Sequence, residues 1–432
     1  MVTRASLAAL CLAACGAPAP SPPTGGVSIE AGPTGRGLAL VMSDYQSTNV
    51  ALLGCDGRTL SASFLSSASA QPGLSAPLSG DVVLPGEPQR GDELALLDRY
   101  PSSIVTLVDV TTGSVAAQLD VGSAFRANPQ DLVRFGDELW VTRYESNLAM
   151  NASPLDRGGD VAIVSRAARA VVERIDLTEA IEDAPGFLPR PGRMVLDDGR
   201  LHVLLAAYNA TFSDAADSRI VTIDIASRHI LRTHVLEGLA GCSSLAIEPP
   251  SIQPDEGSTP RRLLVGCSGR FLGSSQPTLS SSGLVLLEVL SDGVAEVRRW
   301  GSDALAGRPV GFDVALDETG RALVTTLGRL GEGETSALPD ALVELELESG
   351  ASRIVLETQL RPFELGGVRC NTRLDGVPLA DGVGACRPDC FVADGERGVL
   401  HRLVLGASGY EPAEALTVEG TIGLPPRWLG RF

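Results

Sequence analysis

A two-stranded unit that recurs seven times along the chain constrains its fold more than any other feature. In each copy an apolar strand, a tight turn and a second, alternating strand follow one another, most clearly over 103–122, 219–235 and 341–356. Four further copies show the same order of strand, turn and strand, and they begin near residues 49, 159, 283 and 398. A regular repeat of about 55 to 65 residues is typical of proteins built from similar sheets or solenoid turns.

Another hairpin precedes each unit. The segments 131–142, 193–204 and 311–325 alternate in polarity and carry Gly-Asp, Asp-Gly or Thr-Gly at their turns, which is hairpin chemistry. Two hairpins make a four-stranded sheet with strands a to d, and such a sheet cannot bury both faces alone. Seven sheets in a ring can cover one another. The repeat therefore predicts an all-β fold, a seven-bladed β-propeller of four-stranded antiparallel blades, over residues 36–432.

The two ends of this repeat region are complementary. The first unit starts directly with what reads as strand b at 37–42, whereas the last residues, 427–432, follow prolines as several strands a do. We therefore expect the C-terminal strand to return as strand a of the first blade and to close the ring.

Strand ends followed by Val-Thr-x-x-Asp-x-x-Thr-Gly, as in Val105 to Gly113, resemble those of the YVTN-type (YncE-like) seven-bladed propellers. The resemblance covers nearly all of residues 36–432. It implies the same fold, and it leaves the function open because such propellers perform many tasks.

The N-terminus has the pattern of an export signal. One arginine precedes a short apolar run that cannot span a bilayer, and the run ends in Leu-Ala-Ala-Cys15-Gly16. This resembles the lipobox of bacterial lipoproteins, which implies a signal peptide over 1–14, an acylated Cys15 and a Pro/Gly-rich tether over 15–35. Gly16 after the cysteine favours the outer membrane. The alternative is an ordinary cleaved signal that contains a cysteine.

Six further cysteines, an even number, predict disulfides in an exported chain. Cys242 starts strand a and Cys267 ends strand b of the fifth blade, so antiparallel pairing places them opposite each other. The remaining four lie on one predicted face of the ring, where a bridge from the first blade into an insertion of the last would reinforce closure; they are Cys55, Cys370, Cys386 and Cys390. Their connectivity stays open.

Composition narrows the classes of partner. A net charge of −18 argues against nucleic acid. No phosphate-binding loop and no metal-ligand spacing occur, and none of the four histidines lies near a cysteine pair, so no cofactor and no metal are predicted.

The connections between strands b and c are the candidate ligand face, because an aromatic residue or an arginine recurs there. The residues are Tyr45, Arg99, Tyr100, Arg143, Tyr144, Tyr208, Arg270, Phe271 and Arg329. Loops of this kind crowd one end of the channel, where they can bind ligands. The alternative is structural: the aromatic rings fill gaps between blades and the arginines brace carbonyl groups.

These observations predict a lipid-anchored envelope protein that binds a partner protein or a small ligand and is not an enzyme. One alternative is a propeller enzyme. Lactonases of similar blade pattern need an acid, a His and an Arg clustered together. Quinoprotein dehydrogenases need repeated Trp residues, and this chain has only three. The other alternative is an accessory partner of a separate redox protein.

Overall fold

The computed structural model describes residues 37–122, 125–249, 260–270, 278–330, 337–371 and 387–432, and in this part of the chain 28 strands form seven four-stranded antiparallel sheets. The predicted all-β seven-bladed propeller is confirmed. The signal peptide, the tether, Cys15, Phe271 and Cys386 lie outside the described residues.

Each blade takes its strands in chain order, a to d, except the first, whose strand a comes from the end of the chain. The first blade contains β1 (Gly37–Ser43), β2 (Thr48–Gly54), β3 (Thr59–Ser66) and, as strand a, β28 (Pro426–Arg431). The second contains β4 (Val82–Val83), β5 (Glu93–Asp98), β6 (Ile104–Asp109) and β7 (Val115–Asp120). The third contains β8 (Pro129–Phe135), β9 (Glu138–Ser146), β10 (Gly158–Ser165) and β11 (Ala170–Asp176).

The other four blades follow the same order. The fourth contains β12 (Pro191–Asp197), β13 (Arg200–Leu205), β14 (Arg219–Asp224) and β15 (Ile230–Val235). The fifth contains β16 (Cys242–Ile247), β17 (Arg262–Cys267), β18 (Gly283–Val289) and β19 (Val294–Gly301). The sixth contains β20 (Val310–Leu316), β21 (Arg321–Thr326), β22 (Ala341–Glu346) and β23 (Ser352–Glu357). The seventh contains β24 (Leu365–Cys370), β25 (Cys390–Asp394), β26 (Val399–Gly406) and β27 (Gly409–Leu416).

The helical segments are single short turns between strands, at Pro154–Asp156, Thr178–Ile181, Leu279–Ser281 and Ser302–Leu305. Within the described ranges, no helix has the length and apolar character needed to cross a membrane.

The hydrophobic core lies between the blades. Among the described residues it divides into seven clusters, and each cluster joins the facing sides of two neighbouring blades. Side chains of β1 show the reason, since Leu38 and Leu40 pack toward the seventh blade while Ala39 and Val41 pack toward the second. Because alternate residues of a strand point to opposite faces, each strand contributes to two clusters.

The C-terminal strand closes the ring, as predicted. In the antiparallel pairing of β28 with β1, Leu38 faces Arg431 and Leu40 faces Leu429. The N–H of Gly37 donates to the carbonyl of Phe432, and the N–H of Phe432 donates back to the carbonyl of Gly37, both at 3.2 Å. Both chain ends of the propeller therefore lie where strands a end and strands b begin, which we call the a–b face.

A serine directly before strand c ties several blades to the next one. Its hydroxyl oxygen accepts a backbone N–H at the start of the next strand a or two residues before it. The pairs are Ser103 with Ala127 (2.9 Å), Ser218 with Cys242 (3.1 Å) and Ser282 with Val310 (3.0 Å). Ser103 and Ser218 are buried, so each bond satisfies polar groups that water cannot reach.

Two disulfides join strand ends at the described cysteines. Cys242 and Cys267 are paired, as the sequence predicts, and they face each other in the register of β16 and β17. Cys370 and Cys390 likewise join β24 to β25. Cys55 is also disulfide-bonded, and its carbonyl accepts a hydrogen bond from the Asn371 side chain at 2.7 Å. The first and last blades are thus linked beyond the β28–β1 pairing.

Aspartates on strands a connect neighbouring blades around the channel. Asp131 of the third blade accepts the N–H of Met194 (2.9 Å) on the fourth, and Asp313 of the sixth accepts the N–H of Val368 (3.2 Å) on the seventh. Burial raises the pKa of Asp131. These bonds compensate for part of the cost of burying a carboxyl group.

The segment after β4 narrows the channel near the a–b face. Strand β4 is only two residues long, and the following residues reach across to the fourth blade, where Arg193 donates to the carbonyl of Leu84 at 2.8 Å and the Leu196 N–H donates to Glu87. Burial raises the pKa of the Glu87 carboxyl from its usual 4.5 to about 7.

Ring closure can be tested by ending the chain after Gly423. This removes β28 and exposes both the edge of β1 and the clusters it covers, so we expect the melting temperature to fall by about 10 °C or more. Ile422→Ala, at an exposed position just before the cut, is the control and should leave it unchanged. Equal melting temperatures for the truncated and full-length proteins would refute closure by this strand.

Glu87→Gln tests the buried carboxyl through the pH dependence of stability. Glu87 is ionised in the unfolded chain above pH 4.5 but in the folded chain only above about pH 7, so its contribution to stability falls across that window. The variant should therefore be more stable than the wild type at pH 8, by at most about 3 kcal/mol, and nearly equal to it at pH 4.5. Urea unfolding at both pH values measures this. The exposed Glu414→Gln is the control, and a Glu87→Gln gain that is equal at both pH values would contradict the prediction.

Candidate functional site

A cavity of about 300 Å³ opens at the end of the channel opposite the a–b face, among the connections between strands b and c. Strands a and b–c connections of six blades line it. Aromatic rings form much of the wall, namely Tyr45, Tyr144, Tyr208, Phe312 and Trp428. Polar groups lie between them, namely Arg99, Gln130, Arg193, Ser243 and Ser268. We call this space the b–c cavity.

Trp428 and Phe312 form one side of the b–c cavity. Their ring centroids are 6.0 Å apart in an edge-to-face arrangement, and Phe363 packs on Phe312 at 6.3 Å. Trp428 is on β28 and Phe312 is on β20, so closure of the ring also completes this wall. Edge-to-face packing fixes both ring planes more firmly than apolar contact alone.

Tyr144 and Tyr208 form the other side. The ring of Phe212 lies parallel to Tyr144 at 6.2 Å and tilted against Tyr208 at 5.9 Å. The guanidinium of Arg190 lies 4.1 Å from the Phe212 centroid and 5.3 Å from that of Tyr144, and it is ion-paired with Glu145. Arg190 is 1% exposed, so this cation–π arrangement is shielded from water and holds the rings in place.

Two backbone features shape the rim. The Asp44 carboxylate accepts the N–H groups of Gln46 (2.9 Å) and Ser47 (2.8 Å), which bends the loop so that Tyr45 faces the cavity with a positive φ of 65°. Gly241 also has a positive φ, and a Cβ there would lie 2.5 Å from the Tyr208 hydroxyl. Glycine at this position therefore lets Tyr208 reach the cavity.

Arg99 forms a polar part of the cavity wall, and the Asp81 carboxylate balances its positive charge. Its Nε donates to Asp81 at 3.0 Å, its Nη1 donates to the Gln130 side chain at 3.1 Å, and its guanidinium lies 5.7 Å from the centroid of Trp428. The Gln130 amide donates in turn to Asn128 at 2.6 Å. The chain of hydrogen bonds orients each donor and balances the positive charge of Arg99 with Asp81.

The remaining ionisable groups keep the b–c cavity close to neutral. Arg193 donates to the carbonyl of Leu84 at 2.8 Å and lies 3.7 Å from the Asp131 carboxylate. Burial raises the pKa of the Tyr144 phenol, with the Tyr208 phenol nearby, and burial also raises the pKa of Tyr208. Both phenols are therefore uncharged at neutral pH and can donate or accept hydrogen bonds.

Four of the residues predicted for the ligand face line this cavity: Tyr45, Arg99, Tyr144 and Tyr208. Phe271, also predicted there, lies outside the part of the chain that the structure describes.

The other predicted residues lie elsewhere. Arg143 is fully buried, forms two hydrogen bonds with the Asp160 carboxylate at 2.8 and 2.7 Å, and braces the carbonyl of Val121, which is the structural role. Tyr100 is half exposed, and its hydroxyl accepts a hydrogen bond from Arg126 at 2.5 Å. Two further residues lie outside the lining: Arg270, paired with Asp217 at 2.7 Å, and the exposed Arg329, whose backbone pairs with that of Leu338.

Sequence reasoning missed the residues that strands a contribute, which are Gln130, Arg193, Ser243, Phe312 and Trp428. The sequence does contain a pattern that could have identified these residues. Each lies within the first few positions of a strand a and interrupts a run of otherwise buried residues. A polar or aromatic residue at that position faces the channel.

The described residues contain no group of three or more His, Cys, Asp or Glu side chains that could hold a metal ion. The b–c cavity offers aromatic faces, hydroxyl groups, an amide and two arginines that lie near carboxylates.

No protein-family model matches the sequence, and no curated protein matches it either. Solved structures do share the fold. A "putative 6-phosphogluconolactonase" from Bacteroides uniformis has a TM-score of 0.54 at 13% identity, with 92% of this chain and 100% of that one covered. A protein of the same description from Bacteroides fragilis has a TM-score of 0.53 at 10% identity, covering 92% and 98%. AztD from Citrobacter koseri has a TM-score of 0.42 at 11% identity, covering 92% and 98%.

These structures correct one prediction. The chain was predicted not to be an enzyme, because its sequence contains no recognisable catalytic set. That prediction is wrong, since two of the similar folds bear an enzyme's name. At such low identity the likeness shows the fold alone: the chain is a seven-bladed β-propeller.

Proposed function

We propose that this chain is an exported, envelope-anchored propeller of the YVTN type that binds a small, uncharged, polyhydroxylated ring compound in the b–c cavity. The observation that supports it most is the combination of five aromatic rings with hydrogen-bonding groups whose charges are balanced.

The shape and chemistry of the wall favour this ligand class. A cavity of about 300 Å³ suits a ligand of one ring. The aromatic faces of Trp428 and Phe312 can cover the C–H faces of such a ring, while Gln130, Ser243 and Ser268 can bond its hydroxyl groups. A strongly charged ligand would lack an unpaired counter-charge, because Arg99 is already paired with Asp81.

Two observations support export and anchoring. Cys15 follows a lipobox-like sequence, and acylation there would hold the protein to a membrane, with the outer membrane favoured. The disulfides Cys242–Cys267 and Cys370–Cys390 suit an oxidising compartment, as expected for an extracytoplasmic protein.

Ligand binding can be followed through the fluorescence of Trp428, which faces the cavity, whereas Trp140 and Trp300 are buried elsewhere. We expect saturable changes on titration with glucose, myo-inositol or glucono-1,5-lactone. Phe312→Ala should weaken binding by about tenfold, the effect of one lost aromatic contact.

Phe135→Ala, at an exposed position on the a–b face, is the control and should bind like the wild type. Absence of saturation with every ring compound, or equal affinity of Phe312→Ala and wild type for these compounds, would contradict the proposal.

A lactone is one such ring compound, and two proteins of similar fold are named for lactone chemistry. The titration with glucono-1,5-lactone therefore also records acid release; release that Phe312→Ala slows would make the cavity a catalytic site.

Anchoring can be tested by Cys15→Ser in the full-length chain. Without the thiol no acyl chain can be attached, so the protein should move from the membrane fraction to the soluble fraction and lose incorporation of labelled palmitate. Cys11→Ser is the matched control and should stay in the membrane fraction. Membrane retention of Cys15→Ser with undiminished label would show that the anchor lies elsewhere.

A further inference from the structure

Exposed aromatic side chains are concentrated on the face that carries the b–c cavity. Among the described residues the exposed Phe and Tyr side chains are Tyr45, Tyr100, Phe135, Phe212 and Phe363. All except Phe135 lie in connections between strands b and c or between strands d and a, and these connections share one face of the ring. Exposed apolar groups that collect in one region mark a binding surface.

The ring of Phe212 continues the wall of the b–c cavity toward solvent. Its centroid lies 6.2 Å from that of Tyr144, with the two planes only 4° apart, and 5.9 Å from that of Tyr208. Both tyrosines line the cavity, whereas Phe212 lies outside the lining and is 44% exposed. Tyr144 and Phe212 therefore form one aromatic strip that leads out of the cavity.

Contacts within the protein hold Phe212 in this position. The side-chain oxygen of Asn209 accepts the backbone N–H of Ser213 at 3.0 Å, and the backbone N–H of Phe212 donates to the carbonyl of Asn209 at 3.3 Å. The guanidinium of Arg190 lies 4.1 Å from the centroid of the Phe212 ring. A ring that is already ordered loses little entropy when a ligand stacks on it.

Polar groups next to Phe212 can bind hydroxyl groups. Thr211 and Ser213 flank it in the sequence, both are exposed, and their hydroxyl oxygens are 2.9 Å apart. The Asp214 carboxylate follows and accepts the backbone N–H of Ala215 at 2.8 Å. An aromatic face beside such groups can bind the C–H face and the hydroxyl groups of a sugar ring at the same time.

Phe363 also packs on a ring that lines the cavity, but it does not extend the wall in the same way. Its centroid is 6.3 Å from that of Phe312, and the two planes are 57° apart. The neighbouring Glu364 is ion-paired with Arg427 at 3.0 Å. Of these two outward rings, only Phe212 continues the plane of a lining ring.

We propose that the ligand is a linear, uncharged oligosaccharide whose terminal ring occupies the b–c cavity and whose second ring stacks on Phe212. This inference rests on the proposed function, because the cavity must accept one sugar ring. A cavity of about 300 Å³ suits one ring, so the next ring of a chain needs a surface outside it. The carboxylates of Asp44 and Asp214 on the same face disfavour an anionic chain.

Calorimetric titration of the full-length protein with glucose, cellotriose and maltotriose tests the ligand class without any variant. We expect at least one trisaccharide to bind at least tenfold more tightly than glucose, because its second ring makes a contact that glucose cannot make. Glucose binding with no tighter binding of either trisaccharide would refute this inference and leave the proposed function intact. Absence of saturation with all three sugars would also refute it, and the titrations with myo-inositol and glucono-1,5-lactone would still decide the proposed function.

Phe212→Leu tests where the second ring binds. Leucine keeps an apolar contact with Tyr144 but has no flat face, so the ratio of trisaccharide to glucose affinity should fall to about one. Phe212→Trp keeps a flat face and should retain the ratio. Phe135→Leu is the matched control, because Phe135 is 45% exposed but lies on the a–b face; it should retain the ratio as well.

An unchanged affinity ratio in the folded Phe212→Leu variant would refute this position of the second ring. A ratio that falls to about one in Phe363→Leu instead would place the chain on the other side of the cavity and would equally overturn the assignment.

Discussion

The antiparallel pairing of the last strand with the first, β28 with β1, is the contact on which the rest of the structure depends. No blade can bury both of its faces by itself, and the apolar side chains form clusters only between neighbours. In the cluster between the seventh and first blades, Leu429 of β28 packs with Leu38 and Leu40 of β1. One short strand therefore turns a row of sheets with two exposed faces into a ring with none.

Sequence periodicity predicted this architecture because its determinants are local. Hairpin turns and alternating apolar residues mark each blade, and the strand ends at Cys242 and Cys267 follow from antiparallel register. The residues after β4 could not be predicted in the same way. They carry no periodic pattern, and their positions depend on distant partners, such as Arg193 for Leu84 and Leu196 for Glu87.

In the candidate site, too, the sequence predicts the general location but not the environment of each residue. Arg99 and Arg143 both come near the end of a strand b, yet Arg99 lines the cavity and Arg143 is buried against Asp160. The register explains the difference: Arg99 follows Asp98, the last residue of β5, whereas Arg143 lies within β9 and pairs with Asp160 on the adjacent strand. The Arg-Tyr pattern in the sequence does not reveal this one-residue difference, which reverses the face that a side chain takes.

Gly37 and Phe432 meet on the a–b face, and this determines on which side of the ring the chain enters and leaves the propeller. A segment that enters the ring at Gly37 or leaves it at Phe432 does so on the side away from the aromatic residues of the b–c cavity. A group attached directly at either of these residues would therefore leave that cavity open to the surroundings.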